Sequence, residues 1–144
     1  MYQAKIKTTA TEMARSTTDV HSFKVFADEP AELGGQNGAP SPLDYILVAH
    51  GSCLNYMTYF IAKEMDIPVE ATEITVAGKL DPGKFAGTNM DVRAGYQALE
   101  VEIKIKSSAG PESIARLKEA VEARCPVSDN LASGTPVSIS MAAM

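Results

Sequence analysis

From Tyr45 to Met65 the chain has no proline and one glycine, Gly51, and a helix built from it carries apolar side chains on nearly every side: Ile46, Leu47, Val48, Leu54, Met57, Phe60 and Ile61. A helix that is apolar all round has to be covered all round. One small sheet cannot cover every face, so a second copy of the chain is expected to take the remainder, giving a homodimer. A bilayer is the rival cover. Asp44, His50, Asn55, Lys63 and Glu64 interrupt the run and leave about 18 marginal residues, the lower limit for a span, so no membrane insertion is expected. Ser41-Pro42-Leu43-Asp44 marks the start of the helix. It offers a hydroxyl at the N-cap, proline at the first helical position where its missing N–H does no harm, and a carboxylate two places on that can bond back to the cap. The predicted helix runs from Pro42 to Met65.

The flanking sequence reads as antiparallel sheet and shorter helices. Tyr2, Ala4 and Ile6 alternate with Gln3, Lys5 and Lys7, and after a polar stretch Val20 to Ala27 resumes a strand-like pattern with Phe23 and Val25 on one face. These predict two strands, as a hairpin. Asp28-Glu29-Pro30 and Gly34-Gly35-Gln36-Asn37-Gly38 form a turn-rich connection, since Gly and Asn tolerate positive φ and Pro30 cannot continue a ladder. Beyond the long helix, Glu73 to Leu80 and Gln97 to Lys106 read as strands. The second alternates Leu99, Val101, Ile103 and Ile105 with charged residues, leaving one wet face. The glycine-rich loop between them, residues 81–96, suits a wide hairpin or a lid. Pro111 to Arg124 and Pro126 to Leu131 are predicted helices, and Val137, Ile139 and Met141 a last strand. The expected fold class is α+β: a single domain over 1–144, antiparallel sheets around a long buried helix, in the order ββ-α-ββ-αα-β.

Forty-five per cent hydrophobic and 22% charged residues are the balance of one globular domain. Thirteen Lys and Arg against eighteen Asp and Glu give a formal charge of −5, which leaves no surplus of cations for a nucleic acid. The N-terminal segment lacks the apolar run of a secretory signal, so a cytoplasmic location is expected. Cys53 and Cys125 lie 72 residues apart and neither belongs to a C-x-x-C pair. In a reducing cytosol the plain alternative is two buried apolar thiols. Cys53 falls mid-helix on one face with His50 and Met57, where the helix dipole gives it little help, so a cation elsewhere would have to activate it. Cys125 precedes Pro126 and so falls at an N-cap, where unpaired N–H groups favour thiolate; otherwise its sulfur serves as a weak cap.

The run Gly38-Ala39-Pro40-Ser41-Pro42-Leu43-Asp44 into Leu47-Val48-Ala49-His50-Gly51-Ser52-Cys53, followed by Cys125-Pro126-Val127-Ser128, resembles the osmotically inducible protein C (OsmC) and organic hydroperoxide resistance (Ohr) superfamily. The Asp28-Glu29-Pro30 and Gly34-Gly35 turns and the element order agree with it. The resemblance implies a thiol peroxidase of organic hydroperoxides, possessing an intertwined homodimer with its sites at the subunit interface. It makes Cys53 the peroxidatic thiolate that becomes a sulfenic acid, and Cys125 the thiol that condenses with it to a disulfide. An external dithiol then resets the pair. It also implies an arginine after the first strand that stabilises the thiolate and the developing alkoxide. Arg15 is the only arginine in that segment, a solvated loop cation being the alternative, and Arg93 is the reserve.

One departure matters. The hydroperoxidases carry a glutamate right after the proline of this motif, where it orients the arginine, and Leu43 stands there. Asp44, one residue on and about 100° around the helix, is accounted for by the cap. A divergent branch with slow peroxide reduction is therefore expected. The rival from another class is a non-catalytic small-molecule binding protein of the same fold with an apolar interface cleft. His50 could instead pair with Cys53 for acyl transfer, but no oxyanion hole or orienting group accompanies it. A zinc site would need Cys53, Cys125, His50 and His21 together without ligand spacing, so no metal and no cofactor is expected.

Overall fold

A computed structural model describes residues 2–143. Two compact units divide the chain, one up to Val48 and one from Ala49 onward.

The first unit holds three strands, β1 (Lys7–Thr9), β2 (Ser16–Val20) and β3 (Phe23–Ala27), in an antiparallel sheet of that order. This corrects the expected pair of strands. The polar stretch at 16–20 is itself a strand, and the run from Val20 to Ala27 is broken after Val20 by a turn in which His21 takes φ 53°. Apolar alternation misses β2 because its cross-strand pairs are polar: the Thr8 and Thr18 hydroxyls meet at 2.8 Å, and Lys24 Nζ lies 2.7 Å from Asp19. Beyond β3 the Asp28 carboxylate, 1% exposed, accepts the N–H groups of Glu29, Gln36 and Gly38 and so pins the connection, which contains a single 3-10 turn at Ala31–Leu33. The amide of Gly38 holds this carboxyl below its ordinary value, against burial, with Arg15 adding a favourable charge.

Helix α1 (Pro42–Glu64) opens as the sequence predicts. Ser41 N–H and Oγ donate to Asp44 Oδ2 at 2.9 and 2.8 Å, and Asp44 N–H donates to Ser41 Oγ at 3.2 Å. It ends at Asp66, whose left-handed φ of 53° turns the chain so that Ile67 N–H donates to Ala62 C=O at 2.8 Å.

In the second unit β4 (Ala71–Lys79) and β5 (Ala98–Lys106) pair antiparallel along their full length, from Ala71 opposite Lys106 to Lys79 opposite Ala98. Helices α2 (Pro111–Arg124) and α3 (Pro126–Ala132) follow. Leu54, Met57, Ile61 and Ala62 of α1 pack with Leu117 and Val121 of α2, with Ile67 and with Cys125, and Ile74, Ile103 and Ile105 of the hairpin close over them. This is why the alternation of β5 puts its isoleucines inward and its Glu and Lys outward. The expected last strand is not there. Val137, Ile139 and Met141 lie in no strand and are 79, 84 and 95% exposed, because alternation becomes a strand only when the segment pairs with a neighbour, and this one pairs with none. The observed order is thus βββ-α-ββ-αα. Among the described residues no helix is long and apolar enough to cross a membrane.

Candidate active site

Two helical stripes bring the thiols together. On α1, Leu54, Met57 and Ile61 face the core and Cys53 sits half-buried beside them; on α2, Leu117 and Val121 are spaced four apart, and Cys125 continues that spacing one residue past the helix. The Cys53 and Cys125 sulfurs lie 3.5 Å apart, close enough for either thiol to donate to the other, and both are free.

Pro126 fixes the backbone of Cys125. A residue before proline is driven out of the helical region, and Cys125 adopts φ −74° and ψ 112°, ending α2 and capping α3 in one residue. Its N–H donates to Val121 C=O and its C=O accepts from Asp129 N–H, each at 3.0 Å, while its sulfur accepts from Ser128 N–H at 3.5 Å. The N-cap expected from the sequence is present.

His50 is 7% exposed, and its Nε2 meets Ser128 Oγ at 3.0 Å. Its Nδ1 is buried with no hydrogen-bond partner among the described residues. Burial pushes the imidazole pKa down and keeps it neutral. His50 therefore serves Ser128, and the Cys–His pairing with Cys53 considered for acyl transfer is replaced by this contact. Ser128 belongs to the motif read around Cys125, but sequence reasoning gave it no role of its own. The signal was a hydrogen-bonding side chain three places after an N-cap, the spacing of a capping box.

The two thiols differ in acidity. Burial raises the pKa of Cys53, and its contact with Cys125 raises it further, against a favourable Val127 amide. Burial works against the Cys125 thiolate as well, but the Ser128 hydroxyl and amide, the Cys53 thiol and the Val127 amide outweigh it, so Cys125 is the more acidic of the two.

The other predicted residues have these local surroundings. Arg15 is exposed just before β2 in the first unit, where its charge acts on Asp28. Asp44 belongs to the cap of α1. Arg93 is exposed in the connection from β4 to β5, and its carbonyl accepts from the Gln97 side chain at 3.2 Å. Leu43, 40% exposed in the first turn of α1, lines an open groove of about 760 Å³ with Pro30, Leu33 and Val48. Among the described residues no three His, Cys, Asp or Glu side chains are grouped to hold a metal.

A buried dithiol with one acidified sulfur can pass between dithiol and disulfide, provided the sulfurs close to the ~2.05 Å of a covalent bond. Solved structures share the surrounding architecture. An OsmC-like protein from Mycoplasma pneumoniae is 18% identical with a TM-score of 0.79, over 92% of this chain and 89% of that one. An organic hydroperoxide resistance protein OsmC from Legionella pneumophila is 20% identical with a TM-score of 0.66, over 93% and 91%. An organic hydroperoxide resistance protein from Elizabethkingia anophelis is 20% identical with a TM-score of 0.65, over 93% and 90%. At these identities the likeness is one of fold. No curated protein matches the sequence. The family model for OsmC-like proteins matches residues 35–140, spanning the Pro42 helix and both cysteine motifs, and the chain belongs to the OsmC-like protein family.

Proposed function

We propose that this chain is a thiol-dependent peroxidase that reduces organic hydroperoxides through Cys53 and Cys125. The observation that carries the reading is the 3.5 Å separation of two free sulfurs set 72 residues apart in sequence. The names of the Legionella and Elizabethkingia relatives agree with it at the level of the family.

In the first step the Cys53 thiolate attacks one oxygen of the hydroperoxide. An S–O bond forms, the O–O bond breaks, and the alkoxide takes up a proton and leaves as the alcohol. Arg15 is assigned the cation that stabilises thiolate and alkoxide, on the family resemblance. Cys125 then attacks the sulfenic sulfur, forming the disulfide and releasing water. An external dithiol reduces the disulfide by two exchange steps and is itself oxidised. The working form is a homodimer, in the cytoplasm, with no cofactor.

One equivalent of an organic hydroperoxide added to the reduced protein should remove two thiols per chain and yield a linked Cys53–Cys125 peptide on non-reducing mass spectrometry. Cys125→Ser should stop at the Cys53 sulfenic acid or pass to higher oxides. Survival of both thiols in the folded protein would sink the peroxidase reading. The reading that would then stand is a binding protein, which the open groove around Leu43 favours because an apolar side chain replaces the carboxylate expected there.

A further inference from the structure

The peroxidase reading gives His50 and Ser128 no part, yet the buried His50 ring and the Ser128 hydroxyl meet at 3.0 Å between residues 78 apart in sequence. Ser128 Oγ carries one proton, and Ser128 already meets Cys125 at the sulfur, its N–H donating to Sγ at 3.5 Å. With that proton on the sulfur side, Oγ is left to accept from His50, so Nε2 carries the imidazole proton and Nδ1 is the lone-pair nitrogen. An unpartnered buried Nδ1 is what this arrangement leaves, and burial keeps it from being protonated. In this arrangement the series would run from His50 Nε2–H to Ser128 Oγ and from Ser128 O–H to Cys125 Sγ, with Cys53 facing the same sulfur from α1 at 3.5 Å.

We propose that His50 and Ser128 are positioning residues for the second step: His50 fixes the Ser128 hydroxyl, and the hydroxyl holds Cys125 as the sulfur ready to attack an oxidised Cys53. This rests on the peroxidase reading. In that step the Cys125 thiolate forms the S–S bond and is oxidised, the sulfenic S–O bond breaks as Cys53 is reduced, and the departing hydroxide takes the proton that Cys125 gave up and leaves as water. No reactant beyond the hydroperoxide already named is needed. The groups acting on Cys125 are Cys53 from α1, the Ser128 hydroxyl and amide and the Val127 amide from α3, and His50 through Ser128.

The test has an arm without peroxide and an arm with it. In a Cys53→Ser background, the pH midpoint for alkylation of Cys125 should rise by about one unit in Ser128→Ala and in His50→Leu, the equivalent of one hydrogen bond to a charged sulfur. It should return in Ser128→Thr, which keeps the hydroxyl, and in His50→Gln, which keeps a donor near Nε2. In the two-cysteine protein, Ser128→Ala should slow disulfide closure about tenfold and let a dione probe trap the Cys53 sulfenic acid, while the first oxidation is not slowed. If Ser128→Ala fails to fold, His50→Leu decides the same question. An unmoved Cys125 midpoint in a folded Ser128→Ala or His50→Leu protein, or a His50→Gln protein as impaired as His50→Leu, overturns the proposal. A wild-type protein that forms no disulfide with hydroperoxide overturns the peroxidase reading instead, a result distinct from a midpoint that fails to move.

Discussion

At the scale of single residues, hydrogen bonds favour the thiolate of Cys125, the resolving thiol of the proposed mechanism, and leave Cys53, its attacking thiol, hard to ionise. Burial and the neighbouring sulfur raise the Cys53 pKa, so at neutral pH most of it is thiol, and only the thiolate attacks an O–O bond. The rate of Cys53 oxidation, followed by stopped flow, should therefore be low at neutral pH and climb as pH rises toward the thiol pKa. On the proposed mechanism, position 43 bears on the same rate. Leucine cannot accept a hydrogen bond from an arginine, and a guanidinium without a rigid partner loses rotamer freedom each time it orients. Leu43→Glu should speed the oxidation and Arg15→Ala slow it. Arg15→Ala without effect would transfer the cation's role to Arg93, and a slower Leu43→Glu protein that remains folded would mean this branch organises its site without that glutamate.

Elements give the site its rigidity. The long helix that carries His50 and Cys53 starts at a reciprocal cap in which Ser41 and Asp44 satisfy each other's donors and acceptors. A cap of this kind contributes about 1 kcal/mol. Asp44→Ala should lower the urea midpoint by a corresponding amount and leave the rate of Cys53 oxidation unchanged; a drop in rate larger than the stability loss explains would give Asp44 a part in the chemistry. Both thiols depend on helix spacing for their meeting. Leu117, Val121 and Cys125 recur every four residues toward α1, and Pro126 then halts α2 so that the sulfur stays at the core while the chain turns into α3.

For the whole molecule, the burial pattern is lopsided. Among the described residues every buried apolar side chain lies between Leu54 and Cys125, whereas Phe23 and Phe26 of the first unit and Val48, Tyr56 and Phe60 of the long helix stay exposed. Monomeric proteins seldom leave that much large apolar surface uncovered. Sedimentation at micromolar concentration should give a dimer, and dilution should lower the thermal midpoint as the copies separate. A monomer of unchanged stability would mean these side chains are simply solvated. The segment with Val137, Ile139 and Met141 belongs to the same question, since its alternating apolar side chains are exposed and it pairs with neither edge of the β4–β5 hairpin.

What the sequence determined by itself was local. The Ser-Pro-Leu-Asp cap, the unbroken apolar run behind it, the charged alternation of Gln97 to Lys106 and the prolines at 111 and 126 each act within a few residues, and the elements they mark stand within a residue or two of their expected limits. The motifs around Cys53 and Cys125 were legible for the same reason. Tertiary structure decided what depends on partners far along the chain. Strand β2 exists because β1 and β3 flank it, not because it is apolar, and the alternation at 137–141 became no strand because nothing pairs with it. The acidity of each thiol follows from burial and from hydrogen bonds to Ser128, Val127 and the other sulfur. The role of His50 follows from a hydroxyl on another helix. Periodicity cannot report such contacts, because solvation and hydrogen-bond geometry at a buried atom are set by whatever the fold brings within about 3 to 4 Å of it.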